Sequence, residues 1–308
     1  MNSRVLALVF TLLVCASAHA ATFTKSTQLS PGSYGDVVLA GSGGTLTVGS
    51  KGGAQLSSLV VQSSGWTVDG TCGTASKLGI KIGPPSGLRV VTIANGADNT
   101  VLKYVELEHR GLLRSTSDDA IYAVSGNNGG STGIHLSHCY VHDASRTLWL
   151  SYFARNVEID NCYFARVRGD GTHHTDMVSV NSSGDAAGWS IHDNTFEDAS
   201  GTGYIVIKDS VQGGFDIYRN KFTQTADWKG AVAQGPVTNT AGDTNSDTRV
   251  VGNVFTNIKV RAALLFTGSG TSNTASGNVW NNCKREVIGF TDADVTTTTA
   301  STTTHTVP

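Results

Sequence analysis

Charge is scarce in this sequence. Of 308 residues only 15% are Asp, Glu, Lys or Arg, and the formal net charge is −2. With no broad basic field, the chain has little to hold a nucleic acid or an anionic membrane surface. Cysteine is scarce as well: there are 5, and Cys15 falls in a leader. Cys72, Cys139, Cys162 and Cys283 remain, too few for a disulfide scaffold. Past the first twenty residues no run is apolar enough to span a bilayer. No Gly-x-Gly-x-x-Gly, P-loop, Cys-x-x-Cys or serine nucleophile elbow occurs, which leaves nucleotide, zinc-finger and esterase readings without support. Helices would want more Ala, Leu, Glu and Lys. What is abundant is glycine, 36 residues against 5 prolines, with Ser, Thr, Asn and Val around it. That composition suits many short strands joined by tight turns.

The ends are distinct. Arg4, an apolar run from Val5 to Val14 and the small residues Ala16-Ser17-Ala18-His19-Ala20 read as a secretory signal over residues 1–20. The implied location is extracellular, with a cell-surface variant open, and the implied membrane relation is no span in the mature chain. Residues 21–65 read as N-terminal coils and a cap, since an open end of a repetitive sheet must be covered. Residues 292–308 form a Thr-rich, low-complexity tail of the kind that cannot bury a core. Asn181-Ser-Ser183 is a clear N-glycosylation sequon, meaningful in a eukaryotic host.

Residues 66–291 carry a repeat. Leu136-Ser-His-Cys139-Tyr-Val141 aligns with Ile159-Asp-Asn-Cys162-Tyr-Phe164, Ile191-His-Asp-Asn194-Thr-Phe196 and Ile217-Tyr-Arg-Asn220-Lys-Phe222. Val250-Val-Gly-Asn253-Val-Phe255 and Ala275-Ser-Gly-Asn278-Val-Trp280 continue it, and Leu102-Lys-Tyr-Val105-Glu-Leu107 begins it. Successive first positions are 34, 23, 32, 26, 33 and 25 residues apart, enough for a coil of three short strands with turns of varying length. A leucine-rich repeat, a propeller blade or a strict hexapeptide would leave other signatures. Identical amides stacked about 4.8 Å apart can bond to one another, so Asn194, Asn220, Asn253 and Asn278 read as an internal ladder. Asn also tolerates the left-handed conformation a tight turn needs. Cys139 and Cys162 hold the same position as buried thiols or as a disulfide between neighbouring coils.

The pattern resembles the right-handed parallel β-helix superfamily that includes pectate lyases, polygalacturonases and phage tailspikes. The resemblance covers roughly residues 55–290 and implies an all-β, single-domain solenoid with an Asn/Cys ladder. It also implies a lateral groove lined by the strand that follows each ladder segment. Those strands read as Asp118 to Val124, Arg146 to Tyr152, His173 to Val180, Thr202 to Lys208, Lys229 to Gln234 and Arg261 to Thr267.

The densest polar cluster is Asp170-Gly-Thr-His173-His174-Thr-Asp176, where a carboxylate can fix an imidazole that acts as base. Lys208 as a base and Arg146 or Arg219 as a partner for a uronate carboxylate would suit β-elimination, which must stabilise a developing enolate. The expectation is therefore an extracellular protein that binds and cleaves an acidic polysaccharide, with His173, His174, Asp176, Lys208 and Arg146 catalytic. Asp118, Asp119, Trp149, Tyr204, Lys229 and Arg261 would contact the sugar. No metal ligand set is assigned; no cofactor is required, though Ca2+ has a place in such chemistry. The signatures of the best-known relatives are missing. His174-Thr-Asp176 and Asp118-Asp119 stand in the reverse of polygalacturonase order, Gly-His-Gly and Arg-Ile-Lys are absent, and no Arg-x-Pro-x-x-Arg run exists. A hydrolase is thereby demoted, and a non-catalytic carbohydrate-binding adhesin stands as the alternative.

Overall fold

A computed structural model describes residues 20–73, 77–112, 119–123, 130–169, 175–181, 187–208, 214–228, 232, 235–239, 245–258, 264–265, 272–283 and 287–288. The apolar leader and the Thr-rich tail lie outside them. Among the described residues there is no helix, and none long and apolar enough to cross a membrane.

Strands of two to six residues fall into three long sheets of eleven, ten and ten strands, here sheets I, II and III. The chain lays one strand in each sheet in turn, beginning with Ala21–Phe23 in sheet I, Thr27–Leu29 in sheet II and Gly32–Ser33 in sheet III. All pairings within these sheets are parallel, and the exception is a small antiparallel pair, Thr71–Cys72 with Lys77–Leu78. The architecture is all-β and compatible with a parallel β-helix or solenoid.

The spacing of the repeat becomes register. Leu102, Leu136, Ile159, Ile191, Ile217, Val250 and Ala275 stand side by side in sheet II. Leu107, Val141, Phe164, Phe196, Phe222, Phe255 and Trp280 do so in sheet III. The aromatic members of the second column stack face to face, with centroids 5.0, 4.9, 4.9 and 4.2 Å apart from Phe164 to Trp280. Both columns are buried, and the strand spacing itself sets the ring separation.

Between sheets II and III the chain turns a corner. The residues that adopt positive φ there are Tyr104, His138, Asn161, Asp193, Arg219, Gly252 and Gly277. Each precedes the position of the repeated Asn or Cys, so the left-handed residue is the neighbour and not the asparagine itself. The asparagine acts through its side chain. Asn194 Nδ2 donates to Asn220 Oδ1 at 3.0 Å, Asn220 Nδ2 to Asn253 Oδ1 at 3.1 Å and Asn253 Nδ2 to Asn278 Oδ1 at 3.1 Å. The same Oδ1 atoms accept the next backbone N–H groups at 2.9–3.0 Å. Donors that a sharp corner would leave unpaired are thus satisfied in the interior. Cys139 and Cys162 are both free thiols. The Cys139 N–H donates to Cys162 Sγ at 3.3 Å, and the Cys162 N–H to Asn194 Oδ1 at 2.8 Å. Burial, with Cys139 alongside, pushes the Cys162 thiol well above its usual range.

Candidate functional site

Sheet I receives the strands expected to line a groove: Asp119–Ala123, Thr147–Tyr152, Asp176–Asn181, Gly203–Lys208, Val237–Asn239 and Leu264–Leu265. Of the expected fifth strand, Lys229 to Gln234, only Val232 is among the described residues, where it bridges Gly201; Val237–Asn239 is the described strand of sheet I that follows.

These strands do not alternate strictly. Leu148 and Trp149, Met177 and Val178, and Tyr204 and Ile205 are consecutive pairs whose members both join the hydrophobic core. Simple pleating would send one of each pair outward, so each strand bends there, and the outer face re-phases. Thr147, Leu150 and Tyr152 share that face, as do Asp176, Ser179 and Asn181, and Gly203, Val206 and Lys208. Asp176 pairs with Gly203 and Asn181 with Lys208, and the long lysine arm runs back along the strand to place Lys208 Nζ 2.8 Å from Asp176 Oδ2.

Asp176 is completely buried, and its Oδ1 has no hydrogen-bond partner among the described residues. A buried carboxylate oxygen without a donor is costly. Arg146, half-buried, stands in the turn before Thr147–Tyr152, and its carbonyl accepts the Asp176 N–H at 3.0 Å. The backbone of Asp119 lies in register with Thr147, which is in register with Asp176. Of the expected catalytic residues the structure therefore brings together Asp176, Lys208 and the backbone of Arg146. His173, His174, Asp118, Lys229 and Arg261 lie outside the described residues.

Two expected sugar contacts are corrected. Trp149 and Tyr204 are fully buried core residues. Trp149 packs edge-on against Trp189 at 6.1 Å, and Tyr204 edge-on against Phe222 at 5.6 Å while its hydroxyl donates to the Thr223 carbonyl at 2.7 Å. Both sit at the bend, where two successive residues turn inward, so their faces are unavailable to a sugar ring. Arg219 points elsewhere. It is exposed, forks onto Asp193 at 2.8 and 2.5 Å, and lies over the Tyr218 ring. Arg219 and His192 hold the Asp193 carboxyl down at about 2.

Two further polar networks lie on the other sheets. On sheet III, the buried His142 shares its nitrogens between Asp143 Oδ2 at 2.7 Å and Glu106 Oε1 at 3.3 Å. Glu106 also meets Lys81 at 3.1 Å, and Arg166 binds Asp143 at 2.6 Å and the Tyr140 hydroxyl at 3.0 Å. Every charge there is matched by an opposite one, which makes the network a structural clamp. On sheet II, His135, Glu158, Asp160 and His192 form a second group. Its contacts join residues 23 to 34 apart in sequence, and none of its members was singled out from the sequence.

Comparison with known proteins finds no matching family model, no matching curated protein and no matching solved structure. The molecule is defined by its long parallel sheets.

Proposed function

We propose that this chain is a secreted right-handed parallel β-helix, its internal ladder the column of amides and thiols, that binds an acidic polysaccharide along sheet I and cleaves it by β-elimination. The hand rests on the near-universal chirality of parallel crossovers. The observation that carries the site is the buried Asp176, with one oxygen on Lys208 and the other without a partner among the described residues.

Lys208 neutralises the uronate carboxylate, and Asp176, 2.8 Å away, positions it. Arg146 supplies a second cation from the neighbouring strand. His173 or His174 takes the proton from the carbon beside the carboxylate. The electron pair left behind forms the carbon–carbon double bond, the glycosidic C–O bond breaks, and the leaving oxygen takes a proton from the second imidazole. Asp118, Asp119, Lys229 and Arg261 extend the binding face.

The test is a panel of uronate polysaccharides scored for unsaturated ends by near-ultraviolet absorption. Lys208→Ala and His174→Ala should each lower the rate by about 100-fold or more. A double variant that cleaves like wild type would sink the assignment. The adhesin reading draws on one fact: the described groove charge is already internally neutralised by the Lys208–Asp176 pair. Binding without any cleavage by the wild-type chain would favour it.

A further inference from the structure

Sheet II presents a donor set unrelated to the groove. In its register His135 stands beside Glu158, and Ser137 beside Asp160. One strand thus offers an imidazole and the next offers two carboxylates at alternate positions on the same face. His135 Nε2 lies 2.5 Å from Asp160 Oδ1 and 3.9 Å from Glu158 Oε2. One donor atom from each residue lies within 4.8 Å of the other two. Nitrogen and oxygen ligands held about 2.1 Å from a divalent ion stand about 3–3.5 Å apart, so small side-chain rotations suffice to close a first shell.

The second observation concerns the oxygens that do not face His135. Asp160 Oδ2 accepts from Ser137 Oγ at 3.0 Å and Asn161 Nδ2 at 2.6 Å. Glu158 Oε1 is 3.2 Å from His192 Nε2, and His192 Nδ1 is 2.8 Å from Asp193 Oδ2. Each carboxylate therefore has one oxygen tied by an outer partner and the other turned toward the imidazole. Ligating carboxylates are oriented by outer hydrogen bonds in this way. The nearest lysine in register, Lys103 beside Ser137, is committed to Asp69 at 3.0 Å.

We propose that His135, Glu158 and Asp160 form a binding site for a divalent first-row transition ion, with His192 positioning Glu158. An imidazole with two carboxylates suits zinc, cobalt or manganese better than calcium, which takes an all-oxygen shell. Three protein ligands leave a position open, and with Glu158 half-exposed the open side faces solvent. The site is on sheet II and stands or falls independently of the groove on sheet I.

The experiment uses the secreted chain, stripped with EDTA and dialysed, titrated with Zn2+ by calorimetry and with Co2+ by visible absorption. One ion per chain should bind, with a Kd of about 1 µM or lower. His135→Ala and Asp160→Asn should weaken binding at least about 100-fold, and His192→Ala about 10-fold, the range for outer partners. His174→Ala should bind as wild type, which separates this site from the groove. Asp160→Asn keeps the shape of the side chain and tests the site even if His135→Ala fails to fold. Absence of Zn2+ binding at about 100 µM, or wild-type affinity in Asp160→Asn, would overturn the assignment.

Discussion

Asn220 offers the sharpest test of what holds the sheets together at their corner. Its side chain is fully buried and makes four hydrogen bonds. Nδ2 donates to the Ile191 carbonyl at 2.8 Å and to Asn253 Oδ1 at 3.1 Å. Oδ1 accepts from the Asn194 backbone N–H at 3.0 Å and from Asn194 Nδ2 at 3.0 Å. Alanine removes all four, but the losses are unequal. Asn194 Nδ2 still reaches the Ile159 carbonyl at 2.8 Å, and Asn253 Oδ1 still accepts the backbone N–H of residue 220 at 2.9 Å. The Asn194 N–H has no second acceptor among the described residues and becomes a buried orphan. That orphan costs about 1–3 kcal/mol, and the other three lost bonds add about 0.7 kcal/mol each. Asn220→Ala should therefore destabilise by about 3–5 kcal/mol, a fall in Tm of about 6–20 °C for a chain of this size. Asn220→Cys should recover part of this, because Cys162 accepts a backbone N–H in the same column. Asn220→Asp should be worse than alanine, since it removes both donors and buries a charge. Melts followed by far-ultraviolet circular dichroism decide the matter. If Asn220→Ala lies within about 1 kcal/mol of wild type, or cysteine does no better than alanine, the side-chain bonds are not what secures the corner.

Three other outcomes follow from particular contacts. Burial pulls the His142 imidazole down, but its bonds to Asp143 and Glu106 outweigh that and raise it above the usual range. Its contribution to stability is complete below about pH 6.5 and fades as pH rises through the raised value. Burial likewise pushes Asp143 up, but Arg166 and His142 hold it well below the carboxylate range, so its contribution fades as pH falls below about 4. Tm should be highest between about pH 4.5 and 6.5, and His142→Gln should make the alkaline decline shallower; an unchanged alkaline slope would refute the assignment. Lys208→Met leaves the fully buried Asp176 carboxylate unpaired and should cost about 3 kcal/mol, while Asp176→Asn with Lys208→Met should restore most of it; equal melting of single and double variants would count against a stabilising pair. Cys72, Cys139 and Cys162 are buried free thiols and Cys283 is half-buried, so native labelling should reach Cys283 first, and mass spectrometry should find no Cys139–Cys162 bridge.

The strand columns were legible in sequence because a repeat of aliphatic, two residues, Asn or Cys, one residue, aromatic fixes register directly. Residues an interval apart become neighbours across about 4.8 Å. The same motif misplaced the left-handed residue. Asn is a common choice for positive φ, yet here that conformation passes to residues as unlike as Tyr104, His138 and Arg219. The interior amide holds the corner from inside and leaves the preceding residue free to vary. Before Asn194 the position passes to Cys162, Cys139 and Val105, and before Leu102 the same register continues through Val68 and Leu46, where aliphatic residues mark the column.

For the candidate site the sequence was a partial guide to position, for a related reason. Asp176 and Lys208, both expected in the site, lie within 2.8 Å of each other, whereas Trp149 and Tyr204, expected to stack on sugar because they fall on the same strands, are core residues. The bend at Leu148–Trp149 and Tyr204–Ile205 cancels one step of the alternation, and a one-residue change of phase moves a side chain to the other face. The sheet II cluster was missed because its members are scattered along the chain. Its signal was nonetheless in the repeat alignment, one position to either side of the aliphatic column. Reading across the coils there gives His135, Glu158 and Ser190 on one side and Ser137, Asp160 and His192 on the other. In a parallel stack chemistry assembles along columns, so a cluster must be sought across the repeats and not along any one of them.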